Sequence, residues 1–441
     1  MFGNPNQAVE ISSFPRAIIH IDGDAFFASC EQSKDPSLRG KVVVTGGERG
    51  IVGSVSYEGK ALGISRAMPL FEVRKQFPQA IILNSDYETY SLLSNRFFAI
   101  VRRYTPDVEE YGIDECFADL TGMRGALHMS YSEIVEKIQK ELASELGCTF
   151  SIGLSLNKVL AKIGSKWKKP SGTTFICGRD IKEYLGQLGV GKVWGIGPAT
   201  TARFEKYGMR TALDFASRDR DWVVRECAKP LLELWRELNG EYVLTLGRDR
   251  SEPRQSIQKF KTFTPPSSDF DFVFSQLSKN IENACIKARR FGLEAPHMSF
   301  ALREQNFRMI GAHLTFSRPT SYPNEILPLA KDALAEIFEP KKQYRQTGVT
   351  LESLIDANLT QPDLFGASLR TEKMKKIFGA VDALQEKYGK HTVHMASSDQ
   401  AHTFFATGGD RKDSSYRRGS LLPGENLRQH LGIPTFLGAV D

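Results

Sequence analysis

The chain has 441 residues, which is too many for one ordinary hydrophobic core and indicates roughly two to four domains, at about 150 residues per domain. Hydrophobic residues make up 41% and charged residues 25%, a usage that excludes a largely disordered or a collagen-like protein. The formal net charge is +6, with five lysines and no acid in residues 157–170 and 16 Lys and Arg against 11 Asp and Glu in residues 248–350, and such basic stretches favour nucleic acid as a partner.

Neither a membrane segment nor a secretion signal is evident in the sequence. No segment approaches the ~18 consecutive apolar residues that cross a bilayer, and residues 1–15 have neither a basic nor an apolar region. We therefore expect a cytoplasmic protein without membrane contact. The six cysteines are scattered singly, without a C-x-x-C pair or a nearby histidine at metal-ligand spacing, which predicts buried free thiols and indicates neither disulfides nor a zinc site.

The first part of the chain is predicted to form a mixed sheet domain. In chain order the patterns predict strands at residues 17–21 and 41–45, helices at 57–62 and 88–104, a hairpin at 108–120, a helix at 132–145 and a strand at 149–154. Strands separated by helices, with a hairpin between them, indicate an α+β domain with helices on one face of the sheet.

The second part of the chain changes character. Residues 180–238 are helical in pattern, and residues 248–266 are polar and extended, as in a linker. Strands at 298–302, 312–316 and 344–351, with a helix at 326–338, predict a second, smaller α+β domain. From residue 356 onward the chain is predicted to be looser.

Carboxylates stand at the predicted strand ends. Asp22 and Asp24 follow the first strand, and Asp114 and Glu115 lie in the middle of the hairpin. Paired acids of this kind can hold two divalent cations about 3.5 to 4 Å apart for phosphoryl transfer, and Mg²⁺ suits such oxygen ligands. Each acid taken singly is more readily explained as a solvated turn residue. The adjacent pair inside an apolar strand argues against that alternative, because an unpaired carboxylate in a sheet is costly.

Two further groups point towards a nucleotide, and each has a plainer alternative. Phe26 and Phe27 follow the first acidic turn, where aromatic residues are most often part of the core. Ser54, Tyr57 and Lys60, spaced three apart, would bring a hydroxyl, a phenol and an ammonium towards a triphosphate. Triplets of this kind are common, so the pattern is weak when taken alone.

Two segments point towards DNA phosphates. Lys158, Lys162 and Lys166 recur at four-residue steps, so they would line one face of a helix, which is either a DNA-binding or merely a solvated face. Residues 193–208 (VWGIGPATTARFEKYG) have the form of a helix-hairpin-helix. In that motif the glycines let backbone N–H groups approach a phosphate at a helix N-terminus.

A short acidic motif with an aromatic end lies near the C-terminus. It consists of Gln361, Pro362, Asp363, Leu364 and Phe365. Pro362 keeps Gln361 extended, and Leu364 with Phe365 could anchor in the groove of a partner protein. The alternative is a solvated loop that happens to match.

Four segments together resemble the Y-family of lesion-bypass DNA polymerases. They are IDGDAFFASCE at residues 21–31, YGIDECFADL at 111–120, SIGLSLNKVLAK at 151–162 and VWGIG at 193–197. The match is in order and spans about residues 16–365. The pentapeptide at 361–365 resembles the sliding-clamp-binding motif of bacterial polymerases, which suggests the bacterial branch.

The resemblance implies an α+β, right-hand polymerase. It implies a palm with a ferredoxin-like sheet at residues 1–27 and 86–178 and small fingers at 28–85. A helical thumb with the helix-hairpin-helix would follow at 179–247, and an α+β little finger at 248–355. A C-terminal tail at 356–441 would carry the clamp-binding motif.

The resemblance also implies roles for individual residues. Asp22, Asp114 and Glu115, with the main-chain carbonyl of Gly23, match the ligands of two Mg²⁺ ions, and Asp114 and Glu115 are the predicted catalytic residues. Phe27 matches a steric gate that excludes a ribose 2′-hydroxyl. The predicted nucleotide-binding residues are Phe26, Phe27, Ser54, Tyr57, Lys60 and Lys169. The predicted DNA-binding residues are Lys158, Lys166, Gly195, Ile196 and Gly197.

Two positions depart from the family pattern. Lys60 stands where the polymerase IV branch typically has Arg, and a lysine lacks the bidentate fork of arginine. This context is closer to the catalytic subunit of polymerase V, so the subfamily and the need for an accessory subunit stay open. Gly23 between the two acids adds backbone freedom, and the sequence offers no functional account of it.

The predicted activity is template-directed DNA synthesis from dNTPs on primer-template DNA. Low fidelity is expected, because no segment resembles a proofreading nuclease domain. A two-metal nuclease would use the same acids but would not explain Phe27. A non-catalytic, clamp-tethered DNA-binding protein would explain the helix-hairpin-helix and the pentapeptide but not the acids.

Overall fold

The computed structural model describes residues 14–247, 254–358, 367–389 and 391–403 of the chain. These residues form two compact units, one comprising the described residues up to 247 and the other those from 254 onward. Each unit has its own hydrophobic core. The boundaries drawn above for palm, fingers, thumb and little finger stay predictions.

The first unit begins with strands and helices in alternation and ends in helices. Its strands are β1 (Ile18–Gly23), β2 (Val43–Thr45), β3 (Ser54–Val55), β4 (Ile81–Leu83), β5 (Val108–Glu110), β6 (Glu115–Asp119), β7 (Phe150–Ser155) and β8 (Thr173–Phe175). Its helices are α1 (Phe26–Lys34), α2 (Tyr57–Ala61), α3 (Leu70–Gln76), α4 (Tyr87–Arg102), α5 (Met123–Leu127), α6 (Tyr131–Leu146), α7 (Lys158–Trp167), α8 (Ile181–Gln187), α9 (Pro198–Lys206), α10 (Ala212–Ala216), α11 (Arg220–Glu226) and α12 (Lys229–Leu238). The elements predicted up to residue 154 are confirmed, with ends that differ by a residue or two.

The larger sheet of the first unit has the acidic strand β1 at its centre. Its strand order is β5-β6-β1-β7-β8, antiparallel except for the parallel pair β7 and β8. Ile19 and Ile21 of β1 pack into the core formed with α4 and α6, whereas His20 faces α7 and bonds to Ser165 there. Helices therefore cover both faces, and the prediction of helices on one face is wrong. A continuously buried strand shows no alternation, so its sequence does not reveal a second covered face.

Helix α7 lies close to the sheet because β7 offers a glycine at the crossing point. A Cβ atom on Gly153 would lie 2.1 Å from the carbonyl oxygen of Ala161 and 2.3 Å from the backbone nitrogen of Ser165. No larger residue leaves room for this approach. The close packing brings Lys162 and Ser165 of α7 next to the acidic edge of the sheet.

Two smaller parts complete the first unit. Strands β3, β2 and β4 form a three-stranded sheet that shares a small core with α3 around Val44, Val55 and Leu70. Beyond β8 the unit is helical from α8 to α12, with a core that also includes α7. Gly195 makes the turn before α9 with φ of 92°, and Gly208 ends that helix with φ of 79°. The two glycines are the left-handed positions that the helix-hairpin-helix pattern requires.

The second unit is a sheet with helices on one face. Its strands are β9 (Ser256–Ser267), β10 (Leu293–Glu304), β11 (Met309–Thr320), β12 (Tyr344–Glu352) and β13 (Ile355–Asp356), and its helices are α13 (Phe270–Arg290), α14 (Pro323–Ile337), α15 (Ala367–Tyr388) and α16 (Asp399–Thr403). The strand order is β11-β10-β12-β9. Met298, Phe300 and Leu302 face the core with α13 and α14, and the residues between them face the other side. The predicted second α+β domain is confirmed.

Two predictions for the second unit are wrong. Residues 256–266, predicted as part of a linker, belong to β9. This strand pairs with β12 at the sheet edge and is polar because much of it stays exposed. Residues 367–388 and 399–403, predicted to be loose, are helical and pack beside α13. Arg289 of α13 bonds Asp382 through two nitrogens at 2.7 and 2.8 Å. The apolar residues of α15 at 374, 377, 378, 381 and 384 have a helical spacing that could have revealed it.

Two general predictions can be compared with the described residues. Among them no helix is both long enough and apolar enough to cross a bilayer. The six cysteines are free thiols, as predicted, and all are buried except Cys227, which is partly exposed.

Candidate active site

Acidic residues from β1 and from the β5–β6 hairpin meet at one edge of the larger sheet. Asp22 lies directly opposite Glu115 in the register of β1 and β6. The backbone N–H of Gly23 donates to the carbonyl oxygen of Asp114 at 2.8 Å, which ties the end of one strand to the start of the other. The structure therefore brings together the predicted metal ligands Asp22, Gly23, Asp114 and Glu115.

Negative charge is crowded at this edge. Burial raises the pKa of Asp114, and the nearby charges of Asp22 and Glu115 raise it further. Ligand atoms of His20, Asp22 and Glu115 lie within 4.8 Å of one another. Acidic oxygens held this close can bind a divalent metal ion, whose charge would relieve their repulsion. The donor set therefore fits a hard cation.

Gly23 is required by the space around it. A Cβ atom at this position would lie 2.9 Å from Cδ2 of Phe26 and 3.3 Å from the carbonyl oxygen of Asp114. The glycine allows the chain to turn out of β1 while it stays hydrogen-bonded to Asp114. This packing gives the glycine between the acids the physical account that the sequence lacked.

Glu115 is fixed from behind by two side chains. Its Oε2 accepts a hydrogen bond from Nζ of Lys162 at 2.7 Å and lies 3.1 Å from Nε2 of His20. Nδ1 of His20 is in turn 2.6 Å from Oγ of Ser165. Burial alone would raise the pKa of Glu115, but the hydrogen bonds of His20 and Lys162 lower it to about 2. Burial lowers the pKa of His20 to about 4, so the ring is neutral at pH 7 and one nitrogen carries a proton.

Aromatic rings surround the ammonium group of Lys162. Nζ lies 4.4 Å from the ring centroid of Tyr111 and 5.1 Å from that of Trp194. The indole N–H of Trp194 donates to the phenol oxygen of Tyr111 at 3.2 Å, which fixes the two rings to each other. Only 6% of the Lys162 side chain is exposed, so this cation is a permanent part of the site.

Asp24 has a different environment from Asp22. Its side chain is fully buried and accepts hydrogen bonds from Oγ of Ser151 at 2.9 and 3.1 Å and from the N–H of Ser171 at 2.7 Å. The hydroxyl of Tyr57 donates to it at 3.4 Å. Because both oxygens are engaged within the protein, Asp24 holds the loop at residues 169–172 against β7.

The predicted triphosphate residues gather around the same turn. Nζ of Lys169 lies 2.8 Å from Oδ1 of Asp22 and 3.4 Å from Oδ1 of Asp24. Lys60 is exposed, with Nζ 4.1 Å from the ring centroid of Tyr57. Burial and the charge of Asp24 raise the pKa of Tyr57, so the phenol keeps its proton. Two ammonium groups and a phenol thus stand beside the acidic edge.

Ser54 lies at the start of β3, close to the turn after β1. Its hydroxyl donates to the carbonyl oxygen of Ala25 at 3.2 Å. This bond links the three-stranded sheet to the acidic turn of the larger sheet. The predicted role of Ser54 in phosphate binding stays a prediction.

The two phenylalanines after the acidic turn differ in their surroundings. Phe26 is 3% exposed and belongs to the core, 6.4 Å from Phe150 between ring centroids. Phe27 is partly exposed, and its ring stacks on Tyr90 at 4.5 Å with 14° between the planes. The hydroxyl of Tyr90 donates to the buried Oε1 of Glu31 at 2.6 Å. Phe27 is therefore supported by a ring that cannot turn freely.

The predicted DNA-binding residues occupy three environments. Lys158 is 6% exposed and its Nζ lies 2.8 Å from Glu109, so its charge holds α7 to β5. Lys166 is exposed at the end of α7. In the helix-hairpin-helix turn Gly195 and Gly197 are exposed, whereas Ile196 is buried in the core. Contact of any of these residues with DNA stays a prediction, and the pentapeptide at 361–365 lies outside the described residues.

Three residues of the site were missed at the level of sequence: His20, Lys162 as a partner of Glu115, and Tyr90. A signal existed for His20, because residues two apart on a strand share a face and His20 and Asp22 are so spaced. The spacing of Lys162 predicts only that it is one of several lysines on a helix face. Nothing in the sequence places Tyr90 beneath Phe27.

Comparison with protein families and known proteins agrees with this geometry. The model described as the impB/mucB/samB family matches residues 21–166, its C-terminal domain model matches residues 254–364, and the IMS family HHH motif matches residues 179–209. The DNA polymerase IV of Desulfatibacillum aliphaticivorans is 32% identical over 390 residues, covering 86% of this chain and 96% of that protein. The DNA polymerase IV of Caulobacter vibrioides is 30% identical over 379 residues, covering 86% and 93%.

A solved structure gives the same result for the fold. A Y-family DNA polymerase chimera superposes with a TM-score of 0.66 at 22% identity, over 77% of this chain and 99% of that one. The α+β polymerase fold and the helix-hairpin-helix expected from the sequence are confirmed.

Proposed function

Because the chain belongs to the impB/mucB/samB family of Y-family DNA polymerases, and is a low-fidelity translesion DNA polymerase, we propose that Asp22, Asp114 and Glu115 carry its nucleotidyl transfer. The substrates are primer-template DNA and dNTPs. In the reaction the primer 3′-hydroxyl attacks the α-phosphate of the dNTP, and pyrophosphate leaves. The observation that carries this assignment is the convergence of the three acids at one edge of the sheet, with Asp22 opposite Glu115.

Two Mg²⁺ ions are the cofactor that fits these ligands. Asp22, Asp114, Glu115 and the carbonyl of Gly23 would hold them, and the ions would supply charge neutralisation and alignment of the attacking and leaving oxygens. The protein itself contributes a fixed orientation of Glu115, since His20 and Lys162 both bond the same oxygen, Oε2. The other oxygen, Oε1, is left for a ligand role.

Lys169 and Lys60 are the proposed triphosphate contacts. In the structure Lys169 pairs with Asp22, so this ammonium partly neutralises the acids. Asp22 would hold a divalent ion in place of this ammonium, and Lys169 would then be available to contact the phosphates. The side chain of Lys169 is 24% exposed, which leaves it room to move.

Phe27 is the proposed steric gate against ribonucleotides. A gate discriminates only if its ring cannot retreat from the 2′-hydroxyl. The stacking on Tyr90, and the hydrogen bond of Tyr90 to Glu31, provide that resistance. The gate is thus a packed unit of three side chains.

DNA is proposed to contact the helix-hairpin-helix turn and the face of the second sheet that lies away from α13 and α14. His297, Ser299 and Arg303 of β10 lie on that face, which carries no carboxylate from β10 itself. Contacts to phosphates are independent of sequence and weaken with salt, so binding should be salt-sensitive.

The experiment that tests the assignment is primer extension with Mg²⁺ and dNTPs, comparing the wild type with Asp114→Ala plus Glu115→Ala. We expect extension by the wild type and none by the variant. Removing Asp114 relieves like-charge repulsion, and circular dichroism should show that the variant is folded. Shortening of the primer would indicate a two-metal nuclease. An unchanged primer with wild-type protein that binds DNA would indicate a non-catalytic DNA-binding protein.

The same experiment bears on the subfamily. The relatives named above are polymerase IV enzymes, which supports a chain that works without an accessory subunit in the cytoplasm. Extension by the purified chain alone is the expected result. A requirement for added cell extract would favour the polymerase V type.

We also propose that residues 361–365 bind the bacterial sliding clamp. The support is the sequence QPDLF itself, with Leu364 and Phe365 as hydrophobic anchors. Deletion of Gln361 to Phe365 should leave extension intact while abolishing stimulation by a clamp. Clamp stimulation that survives the deletion would contradict the assignment.

A further inference from the structure

A second group of metal-binding side chains lies in the second unit, outside the polymerase site. Ligand atoms of Glu282 on α13, His391 in the loop after α15, and His402 on α16 all lie within 4.8 Å of one another. Nδ1 of His391 is 3.9 Å from Oε2 of Glu282. The ring centroids of His391 and His402 are 4.4 Å apart. Two helices and a loop therefore bring one carboxylate and two imidazoles to a common point.

Glu282 and His402 each have a buried polar atom that makes no hydrogen bond among the described residues. The Glu282 side chain is 4% exposed, and its Oε1 is buried without a hydrogen-bond partner among the described residues. Nε2 of His402 is also buried without a hydrogen-bond partner among the described residues. Buried polar atoms are almost always paired, so two such atoms on residues of one cluster point to a ligand that both residues could bind.

The surroundings of His391 match those of a metal-bound histidine. Nε2 of His391 lies 3.3 Å from Oδ1 of Asn283, while Nδ1 faces Glu282. Histidine ligands usually donate their second N–H to an oxygen, and this bond fixes the ring and its tautomer. Asn283 would therefore orient His391 with Nδ1 facing Glu282.

We propose that Glu282, His391 and His402 bind one Zn²⁺ ion. Two imidazoles and one carboxylate are a common zinc donor set, whereas Mg²⁺ prefers oxygen ligands alone. Tetrahedral bonds of about 2.0 to 2.2 Å place neighbouring ligand atoms roughly 3.3 Å apart. The atoms of His391 and Glu282 at 3.9 Å would close by about 0.6 Å, and any other pair of the cluster, at up to 4.8 Å, by at most about 1.5 Å. A water molecule would complete the tetrahedron.

The ion would fasten residues 391–403 to α13. This segment already contacts the helix at its far end, where the N–H of Ala401 donates to Oγ of Ser275 at 2.9 Å. Nζ of Lys279 donates to the carbonyl oxygen of Ala401 at 3.1 Å, so this nearby cation has its own acceptor. The zinc would add a bond between elements that are more than a hundred residues apart in the chain.

Metal binding by the full-length chain tests the proposal. The protein is stripped with a chelator, returned to buffer with excess Mg²⁺ to occupy the polymerase acids, and titrated with Zn²⁺ in equilibrium dialysis. We expect about one tightly bound Zn²⁺ per chain and an affinity loss of about 10-fold or more in His391→Ala and in His402→Ala. Co²⁺ in place of Zn²⁺ should give the visible absorption of a tetrahedral site. An affinity unchanged in both variants would overturn the proposal.

A matched control separates this site from surface histidines. His297 and His313 stack at 5.5 Å on neighbouring strands and form the obvious place for stray metal binding. The double variant His297→Ala plus His313→Ala should bind Zn²⁺ as the wild type does. Loss of the tight Zn²⁺ in this variant would overturn the proposal.

A second readout does not depend on alanine variants that fold poorly. Glu282→Gln keeps the shape of the side chain but removes its charge. Hydrogen exchange in residues 391–403 should slow on addition of Zn²⁺ to the wild type and should not change in Glu282→Gln. Equal slowing in both proteins would overturn the role of Glu282. The zinc-free wild type should still extend primers in Mg²⁺, because these residues lie outside the polymerase site.

Discussion

Replacement of Lys162 by methionine tests whether the cation behind Glu115 orients it. The variant keeps most of the side-chain volume and removes the ammonium that lies 2.7 Å from Oε2 of Glu115. The hydrogen bonds of His20 and Lys162 hold the pKa of Glu115 at about 2, against about 4.3 for a free glutamate. This difference corresponds to roughly 3 kcal/mol in favour of the charged form. His20 and Lys162 share this stabilisation, and Glu115 is 20% exposed. We therefore expect Lys162→Met to lower the free energy of unfolding by about 2 kcal/mol.

Two measurements should respond to Lys162→Met. In metal-free buffer at pH 7, an unfolding free energy lower by about 2 kcal/mol corresponds to a melting temperature of the first unit lower by about 4 to 8 °C. In Mg²⁺ the rate of primer extension should fall about 10- to 100-fold, which is the usual effect of removing a partner that orients a metal ligand.

The stability difference between wild type and Lys162→Met should depend on pH in a defined direction. The folded pKa of Glu115 lies below its unfolded value, so its stabilising contribution is fully present above about pH 4.3 and is lost as the pH falls towards about 2. The stability difference between wild type and Lys162→Met should therefore shrink below about pH 4. A difference that stays constant down to pH 3 would show that lost packing, not the ion pair, explains the effect.

The matched control is Arg103→Met in the same unit. Arg103 makes a two-point ion pair with Glu145 at 2.6 and 3.0 Å, between α4 and α6 and away from the acidic edge. Arg103→Met should lower the melting temperature and leave the extension rate of the folded protein unchanged. The reasoning would be refuted if the two variants lost activity equally, or if Lys162→Met extended primers at the wild-type rate.

Three further variants probe packing, the gate and the phosphate contact. Gly153→Ala should prevent folding or lower the free energy of unfolding in urea by several kcal/mol, because the added Cβ would overlap the backbone of α7. The control is Gly125→Ala in α5, where a Cβ meets nothing within 4 Å, and this variant should be neutral or stabilising by about 1 kcal/mol. Tyr90→Phe should cost about 1 to 3 kcal/mol by leaving a buried carboxylate without its donor, and should raise ribonucleotide incorporation in single-turnover assays because Phe27 is less firmly supported. Lys60→Arg should lower KM for dNTPs with kcat unchanged, and an unaltered KM would mean that residue 60 does not contact the phosphates.

The strands that end in acids could be predicted from the sequence, whereas the helix that packs on their second face could not. Buried runs followed by Asp22 and by the Asp114–Glu115 pair have a local signature, because strand length and acidic ends are properties of neighbouring residues. The position of α7 over the second face of the sheet depends on Gly153. A single glycine in a strand does not predict which helix will pack against it. The sequence of β9 predicts a linker because an edge strand exposes polar residues.

The same division applies to the site. The three acids could be predicted, whereas the partners of Glu115 could not, because they come from positions 95 and 47 residues away, His20 and Lys162. Their meeting depends on the register of β1 against β6 and on the depth at which α7 packs. Neither the strand register nor the packing depth of α7 can be read from a short segment of the sequence. The support of Phe27 by Tyr90 likewise joins α1 to α4 through tertiary packing alone.

The two lysines beside the acids differ in burial, and this difference divides their roles. Lys162 is 6% exposed and enclosed by aromatic rings, so moving it would leave a buried carboxylate without its cation. Lys169 is 24% exposed and pairs with Asp22, a partly exposed carboxylate that can accept a metal ion in its place. Fixed charge is therefore placed behind Glu115, where orientation has to persist through every cycle. Exchangeable charge lies in front, where under the proposed assignment a metal ion and a triphosphate would enter and leave, and the same ammonium would neutralise Asp22 before binding and the phosphates after it.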